Sequence, residues 1–199
     1  MQVVFKCERS RRIRQRARLR RGGFSLVELL VVTALVASSA MAVTPVLSTW
    51  QARDRVDGAA RALLASLTLA RGEAIARGAR VVVCPADARA QCLPKGHVCE
   101  RALRGWSCGW MVVVEQGPGG RVLRVHRRMS GVSIAAAAPA IEFTPPAGQV
   151  IGGFRKIEFT AAGVNASGPQ SASSSRCIRV AAGGRARLER GACSGRARA

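Results

Sequence analysis

Apolar and polar positions along this chain fall into three regimes. From Leu29 to Ala52, 24 residues carry no charge. As a helix that run spans about 36 Å at about 1.5 Å per residue, enough to cross a hydrocarbon core of about 30 Å. Beyond Trp50 the pattern changes. Val56, Ala60, Leu63, Leu67, Ala70 and Ala74 recur at spacings of four and three, which is one stripe of an amphipathic helix. Arg53, Asp54, Arg61, Arg71 and Arg77 mostly fall off it. The stripe predicts a packing surface on a stem helix that runs to Ala76 and stops near Gly78, a natural C-terminal breaker. Pro45 lies inside the first run. It removes one backbone bond and predicts a kink or local melting near Met41.

After Gly78 the period shortens to that of strands. The predicted strands are Arg80–Cys84, Trp106–Glu115, Arg121–Arg128, Val132–Ala135, Ile141–Thr144, Lys156–Thr160, Arg176–Ala181 and Arg185–Arg190. They are rich in Val and Ile. Gly-Pro-Gly-Gly (117–120), Pro145-Pro146, Gly152-Gly153 and Gly183-Gly184 separate them. Residues 163–175 are small and polar and read as a loop. Ile141-Glu142-Phe143-Thr144 and Ile157-Glu158-Phe159-Thr160 echo one another over too short a span to be a repeat. The expected class is α+β, with a long N-terminal helix packed on an antiparallel β head.

Charge divides the chain further. The formal charge is +21. Residues 1–23 hold +8 of it, from Lys6 and eight arginines against Glu8, leaving +13 for residues 24–199. A basic block before an apolar helix keeps residues 1–23 on the cytoplasmic side and sends the rest outward. Four segments follow: a basic leader (1–23), a membrane-spanning half-helix (24–52), an amphipathic stem (53–78) and a β-rich head (79–199). The excess positive charge that survives in 24–199 points to anionic partners.

A secretory signal would explain a basic start, but the apolar run is too long and Ala-Ser-Ser-Ala-Met-Ala (37–42) is a loose cleavage site. A plain single-span anchor explains the length and leaves Glu28 without a reason. A carboxylate one turn inside an apolar helix costs a few kcal/mol and marks function. Arg21-Gly22-Gly23-Phe24-Ser25-Leu26-Val27-Glu28-Leu29-Leu30 resembles the processing motif of type IV prepilins and type II secretion pseudopilins. The resemblance implies cleavage between Gly23 and Phe24 by a membrane prepilin peptidase, N-methylation of Phe24, and a single-pass inner-membrane subunit with its head in the periplasm. It implies assembly with other pilin or pseudopilin subunits through the N-terminal helix. Cleavage would create an amine on Phe24, and Glu28 could neutralise the amine of a neighbouring subunit. A buried pair is tolerable where either lone charge is not.

Two further stretches narrow the family. Ala70-Arg71-Gly72-Glu73-Ala74-Ile75-Ala76-Arg77 with Val81-Val82-Val83-Cys84, and Gly109-Trp110-Met111-Val112-Val113-Val114-Glu115, resemble the stem end and the Gly-Trp strand of the group that joins the secretion pseudopilin H with the minor pilin FimT. The implied fold is the type IV pilin fold.

Six cysteines lie beyond the apolar run: Cys84, Cys92, Cys99, Cys108, Cys177 and Cys193. An even set outside the cytoplasm indicates disulfides, and six cysteines allow about 15 pairings. Zinc sites use tight pairs that are absent here, although His97 lies between Cys92 and Cys99; no metal is expected. A Cys177–Cys193 bond would close a loop of about 15 residues, worth roughly 3 kcal/mol in the chain-entropy picture.

Residues 176–199 carry seven arginines against Glu189. Strand alternation places Arg185 and Arg187 on one face, roughly 7 Å apart, comparable to successive phosphates of a nucleic acid strand. Gly184-Arg185-Ala186-Arg187 resembles the G-R-x-R motif of FimT minor pilins, which bind DNA during natural transformation. The resemblance implies DNA contact by Gly184, Arg185 and Arg187, with Arg179 and Arg190 nearby. No aromatic flanks the motif in sequence, so phosphate-led, salt-sensitive contacts are expected without base stacking. A solvated basic face is the competing reading. For catalysis the chain offers no nucleotide loop, no G-x-S-x-G and no H-E-x-x-H. No enzymatic activity and no cofactor are expected. Type II secretion remains the alternative function.

Overall fold

The structure, a computed structural model, describes residues 25–94, 96–99, 105–117, 119–162 and 174–193; the side chains of 41–46 and 48 lie outside that description. The leader, the Gly23–Phe24 bond, Cys7, Arg196, Arg198 and most of the 163–175 loop fall beyond the described residues. Two compact units divide the chain, Met1–Val43 and Thr44–Ala199.

In the first unit the described residues after Ser25 belong to helix α1, Leu26–Arg77, which continues into the second. Its start is capped: the Ser25 hydroxyl accepts the Glu28 amide at 3.1 Å. A Ser followed three residues on by Glu is the composition of a capping box. Leu26, Val27, Leu29, Leu30, Val31, Val32, Leu35 and Val36 are each at least half exposed. Helical structure is continuous through Pro45, so of the kink or local melting expected near Met41 the melting does not occur. Proline removes a single backbone bond, and the turns on either side carry the helix across it. The uncharged run expected to cross a membrane includes 41–46 and 48. Among the described residues no helix is long and apolar enough to do so.

The second unit is built on the stem stripe. Val56, Ala60, Leu63, Leu67, Ala70 and Ala74 are all fully buried. Helix α1 ends at Arg77, and Gly78 follows at φ +58°, the left-handed cap that glycine adopts without steric cost. Two antiparallel sheets receive the stripe. One has the order β3-β2-β1-β5-β6 and the other β4-β7-β8-β9. Their strands are β1 Val81–Pro85, β2 Gly109–Val114, β3 Arg121–Arg127, β4 Val132–Ala136, β5 Ile141–Thr144, β6 Gln149–Val150, β7 Arg155–Ala161, β8 Arg176–Val180 and β9 Ala186–Arg190. Alternate residues point inward: Val81 and Val83 of β1, Val112 and Val114 of β2, Ile141 and Phe143 of β5, Ile157 and Phe159 of β7, Ile178 and Val180 of β8. They form one core with the stripe. Each such side chain contributes about 1.5–3 kcal/mol on leaving water.

The Trp110 indole and the Ser66 and Ser107 hydroxyls inside the head are partnered. Trp110 donates its indole N–H to Ser66 on the stem at 3.0 Å, and Ser66 donates to the Ala62 carbonyl. The expected strand Trp106–Glu115 begins only at Gly109. Residues Gly105–Cys108 form a 3-10 turn instead. There Ser107 serves the edge of β4, accepting the Ile134 amide at 2.8 Å and donating to the Ile134 carbonyl at 3.2 Å. Gly109 has φ +114°, and a Cβ there would lie against the backbone of His126 and Arg128 on the neighbouring strand. Strand β6 was not expected; two residues are too few to show a period.

Candidate nucleic-acid interface

The arginines of the G-R-x-R stretch sit on an edge strand. Strands β8 and β9 form a hairpin in the register Arg176↔Arg190, Cys177↔Glu189, Ile178↔Leu188, Arg179↔Arg187 and Val180↔Ala186. Ala186 and Leu188 lean on the core. That fixes the opposite face for Arg187. The Ala181 amide donates to the Arg185 carbonyl at 3.0 Å, which carries the pairing one step beyond the strand ends. Arg185 therefore shares a face with Arg187. Both are exposed.

Gly184 is present for a structural reason. It is buried at φ +78°, and a Cβ would sit on the carbonyl oxygen of Gly148 and against Arg71 of the stem. The Val150 amide also donates to the Ala182 carbonyl at 2.9 Å. The hairpin turn is thus seated on the β5–β6 turn and the stem, which holds the backbone of Arg185 in place.

The remaining candidate arginines separate. Arg179 lies directly across from Arg187, but its guanidinium is engaged: Nε donates to Glu189 Oε2 at 2.8 Å and a terminal nitrogen donates to the Cys193 carbonyl at 3.2 Å. Arg190 pairs with Arg176 and faces the core side of the sheet, away from Arg185 and Arg187. Register brings in a residue that sequence order hides. β7 pairs with β8 through Lys156↔Arg179. Lys156, Arg179 and Arg187 form one cross-strand row on the outer face, about 10 Å long at the usual strand spacing. Lys156 is exposed. Among the described residues Lys156, Arg185 and Arg187 make no ion pair.

Two covalent or ionic ties fix the hairpin. Cys177 and Cys193 are disulfide-bonded, and the Cys193 amide donates to Glu158 on β7 at 3.2 Å. Arg176 donates to Asp57 on the stem at 2.8 Å. Hydrogen bonds from Arg61 and then Arg176 hold the Asp57 carboxyl below the ordinary carboxylate range, against the opposing effect of burial. The other cysteines form Cys84–Cys92 and Cys99–Cys108. As disulfides they offer no thiolate to a metal, and among the described residues no cluster of three or more His, Cys, Asp or Glu could hold one. His126 stacks on Trp110 with ring centroids 4.9 Å apart. Burial, and then the charge of Arg124, hold it below the ordinary imidazole range.

A stem stripe, a Gly-Trp strand and a disulfide-tied last hairpin are now joined in one head. The family model of the type II transport protein GspH matches residues 59–184 of the chain. The chain belongs to the GspH family. The match runs from the buried stem stripe to Gly184, so Arg185 and Arg187 lie just past it. Two crystal forms of the type IV minor pilin FimU from Pseudomonas aeruginosa PAO1 are similar structures, each 18% identical in sequence. Their TM-scores are 0.49 and 0.47, covering 69% and 67% of this chain and 90% and 91% of FimU. Comparison with the curated proteins gives no match. The GspH/FimT kinship expected from the motifs is therefore shown at the level of the family, and the chain is a pilin-like subunit.

Proposed function

We propose that this GspH-family chain is a minor subunit of a type IV filament that holds DNA by its phosphates for uptake in natural transformation. The observation that carries the DNA reading is the outer face of the second sheet. There Arg185 and Arg187, on a hairpin locked by a disulfide, and Lys156, on the neighbouring β7, are exposed without acidic partners among the described residues. Arginine offers bidentate hydrogen bonds to phosphate, and the spacing along β9 suits consecutive phosphates. Such binding is independent of sequence and weakens with salt. In the full-length chain, Arg185→Ala with Arg187→Ala is expected to weaken duplex binding sharply in a gel-shift or anisotropy titration, leaving only the residual contact of Lys156. Unchanged affinity removes this site.

The filament reading rests on the N-terminal segment. The precursor is cut between Gly23 and Phe24 by the prepilin peptidase, Phe24 is N-methylated, and the helix from 24 to 52 crosses the inner membrane once with the head periplasmic. The exposed apolar run from Leu26 to Val36 supports a helix whose surface is covered by lipid or by neighbouring helices. Glu28 is exposed in the same first turn, where it can meet the amine of another subunit. Mass spectrometry of the natural product should find a methylated Phe24 as the first residue; an intact leader contradicts the processing.

The match to the type II transport protein GspH favours a second reading, a minor pseudopilin of a type II secretion machine. Deletion of the gene separates the two. Loss of transformation with secretion intact supports the first, and loss of secretion with transformation intact supports the second.

A further inference from the structure

The same end of the second sheet carries an aromatic that the linear motif lacks. Phe154 immediately precedes β7, whose first residue Arg155 pairs with Val180. One step further out, Phe154 comes level with Ala181, and Ala181 is bonded to Arg185. Carried back one residue beyond the start of β7, its alternation puts Phe154 on the face of Lys156, which is also the face of Arg185 and Arg187. Phe154 is 53% exposed, so it is not a core residue. Across β7, β8 and β9 the outer face thus presents Phe154, then Ala181, then Arg185, a span of about 10 Å.

The loop that bears Phe154 is held in position. The Arg155 guanidinium donates to the carbonyls of Ile151 at 2.8 Å, Gly152 at 2.5 Å and Phe154 at 3.3 Å. One cation therefore clamps three of the loop's carbonyls and fixes where the ring emerges. An exposed aromatic on a sheet face beside a row of cations is the arrangement that takes unstacked bases on the ring and phosphates on the cations. A duplex offers its backbone to the cations but keeps its base faces stacked.

We infer that Phe154 makes this surface a single-strand nucleic acid site, with one unpaired base stacked on the ring and the flanking phosphates on Arg185, Arg187 and Lys156. The inference rests on the proposed DNA reading and adds the form of nucleic acid that is preferred.

The test uses the full-length chain in detergent micelles with two fluorescent probes, a dT strand of about 12 nucleotides and a duplex of equal length. Phe154→Ala should weaken the single strand by about 5- to 100-fold and leave the duplex within about twofold, while Phe154→Trp restores single-strand affinity. A Phe154→Ala variant that binds dT as the parent does, or that loses both probes equally, overturns the inference. The paired Arg185→Ala, Arg187→Ala variant separates the two levels. If it keeps both probes, the DNA reading itself falls and takes the inference with it. If it loses both while Phe154→Ala is silent, only the inference falls. Displacement of dT by polyglutamate as readily as by unlabelled dT would mark the face as a protein-docking surface and also overturn it.

Discussion

Gly184 shows how one residue can be conscripted by packing while its neighbours remain available for binding. Its backbone is left-handed and buried, and any Cβ meets the carbonyl of Gly148. Gly184→Ala should therefore destabilise the head by about 2–3 kcal/mol, from positive-φ strain and the clash together. Gly183 is a built-in control: it has no left-handed φ and nothing within 4 Å of a Cβ. Gly183→Ala should stay within about 0.5 kcal/mol of the parent in the same thermal or denaturant melt. Equal effects at the two positions would contradict the seating of the turn. The sequence alone showed Gly184 as part of a binding motif, because the contact that constrains it comes from Gly148, 36 residues earlier. At position 28 the backbone amide is capped by the Ser25 hydroxyl, which leaves the Glu28 carboxylate free for the proposed pairing with another subunit.

Between elements, legibility followed the length of the period. The stem stripe was readable because six residues repeated at helical spacing, and all six are buried. Most strands were readable to within a residue or two at their ends. β6 was not, and the start of β2 was misplaced because a 3-10 turn and Gly109 intervene where valine-rich sequence suggested a continuous strand. The candidate binding face was half legible. Arg185 and Arg187 sit on one strand, whereas Lys156 and Phe154 reach the same face only through the β7–β8–β9 register. The Asp57–Arg176 tie between stem and hairpin was also invisible, since 119 residues separate its partners. It carries a pH signature. The Asp57 carboxyl is held below its ordinary range in the folded head, so its contribution is complete above about pH 4 and is lost as pH falls through the lowered value. Asp57→Asn should cost about 1 kcal/mol at neutral pH, a value reduced by solvent screening. The stability difference from the parent should shrink steadily below about pH 4. A difference that stays constant down to about pH 2 would show that the carboxylate charge is not what joins the elements.

For the molecule as a whole, membership of the GspH family and a formal charge of +13 in residues 24–199 fit a pilin-like subunit that presents a cationic surface. One edge strand of each sheet, β3 in the first and β9 in the second, carries arginines. Charged edges also discourage strand-to-strand aggregation, so net charge by itself does not locate a ligand. What distinguishes the β9 end is a cation row whose outer members, Lys156 and Arg187, make no ion pair among the described residues, held by a disulfide, a seated glycine turn and a stem ion pair. Phosphate binding there must release counterions in proportion to the cations used. The most direct measurement is the slope of log affinity for duplex DNA against log salt concentration, taken for the full-length chain and for the Arg185→Ala, Arg187→Ala variant. With Arg185, Arg187 and Lys156 engaged, a slope of about −3 is expected, flattened by about two in the variant at roughly 0.9 per phosphate contact. Parallel slopes for the two proteins would contradict the account, because the arginines of β9 would then hold no phosphate.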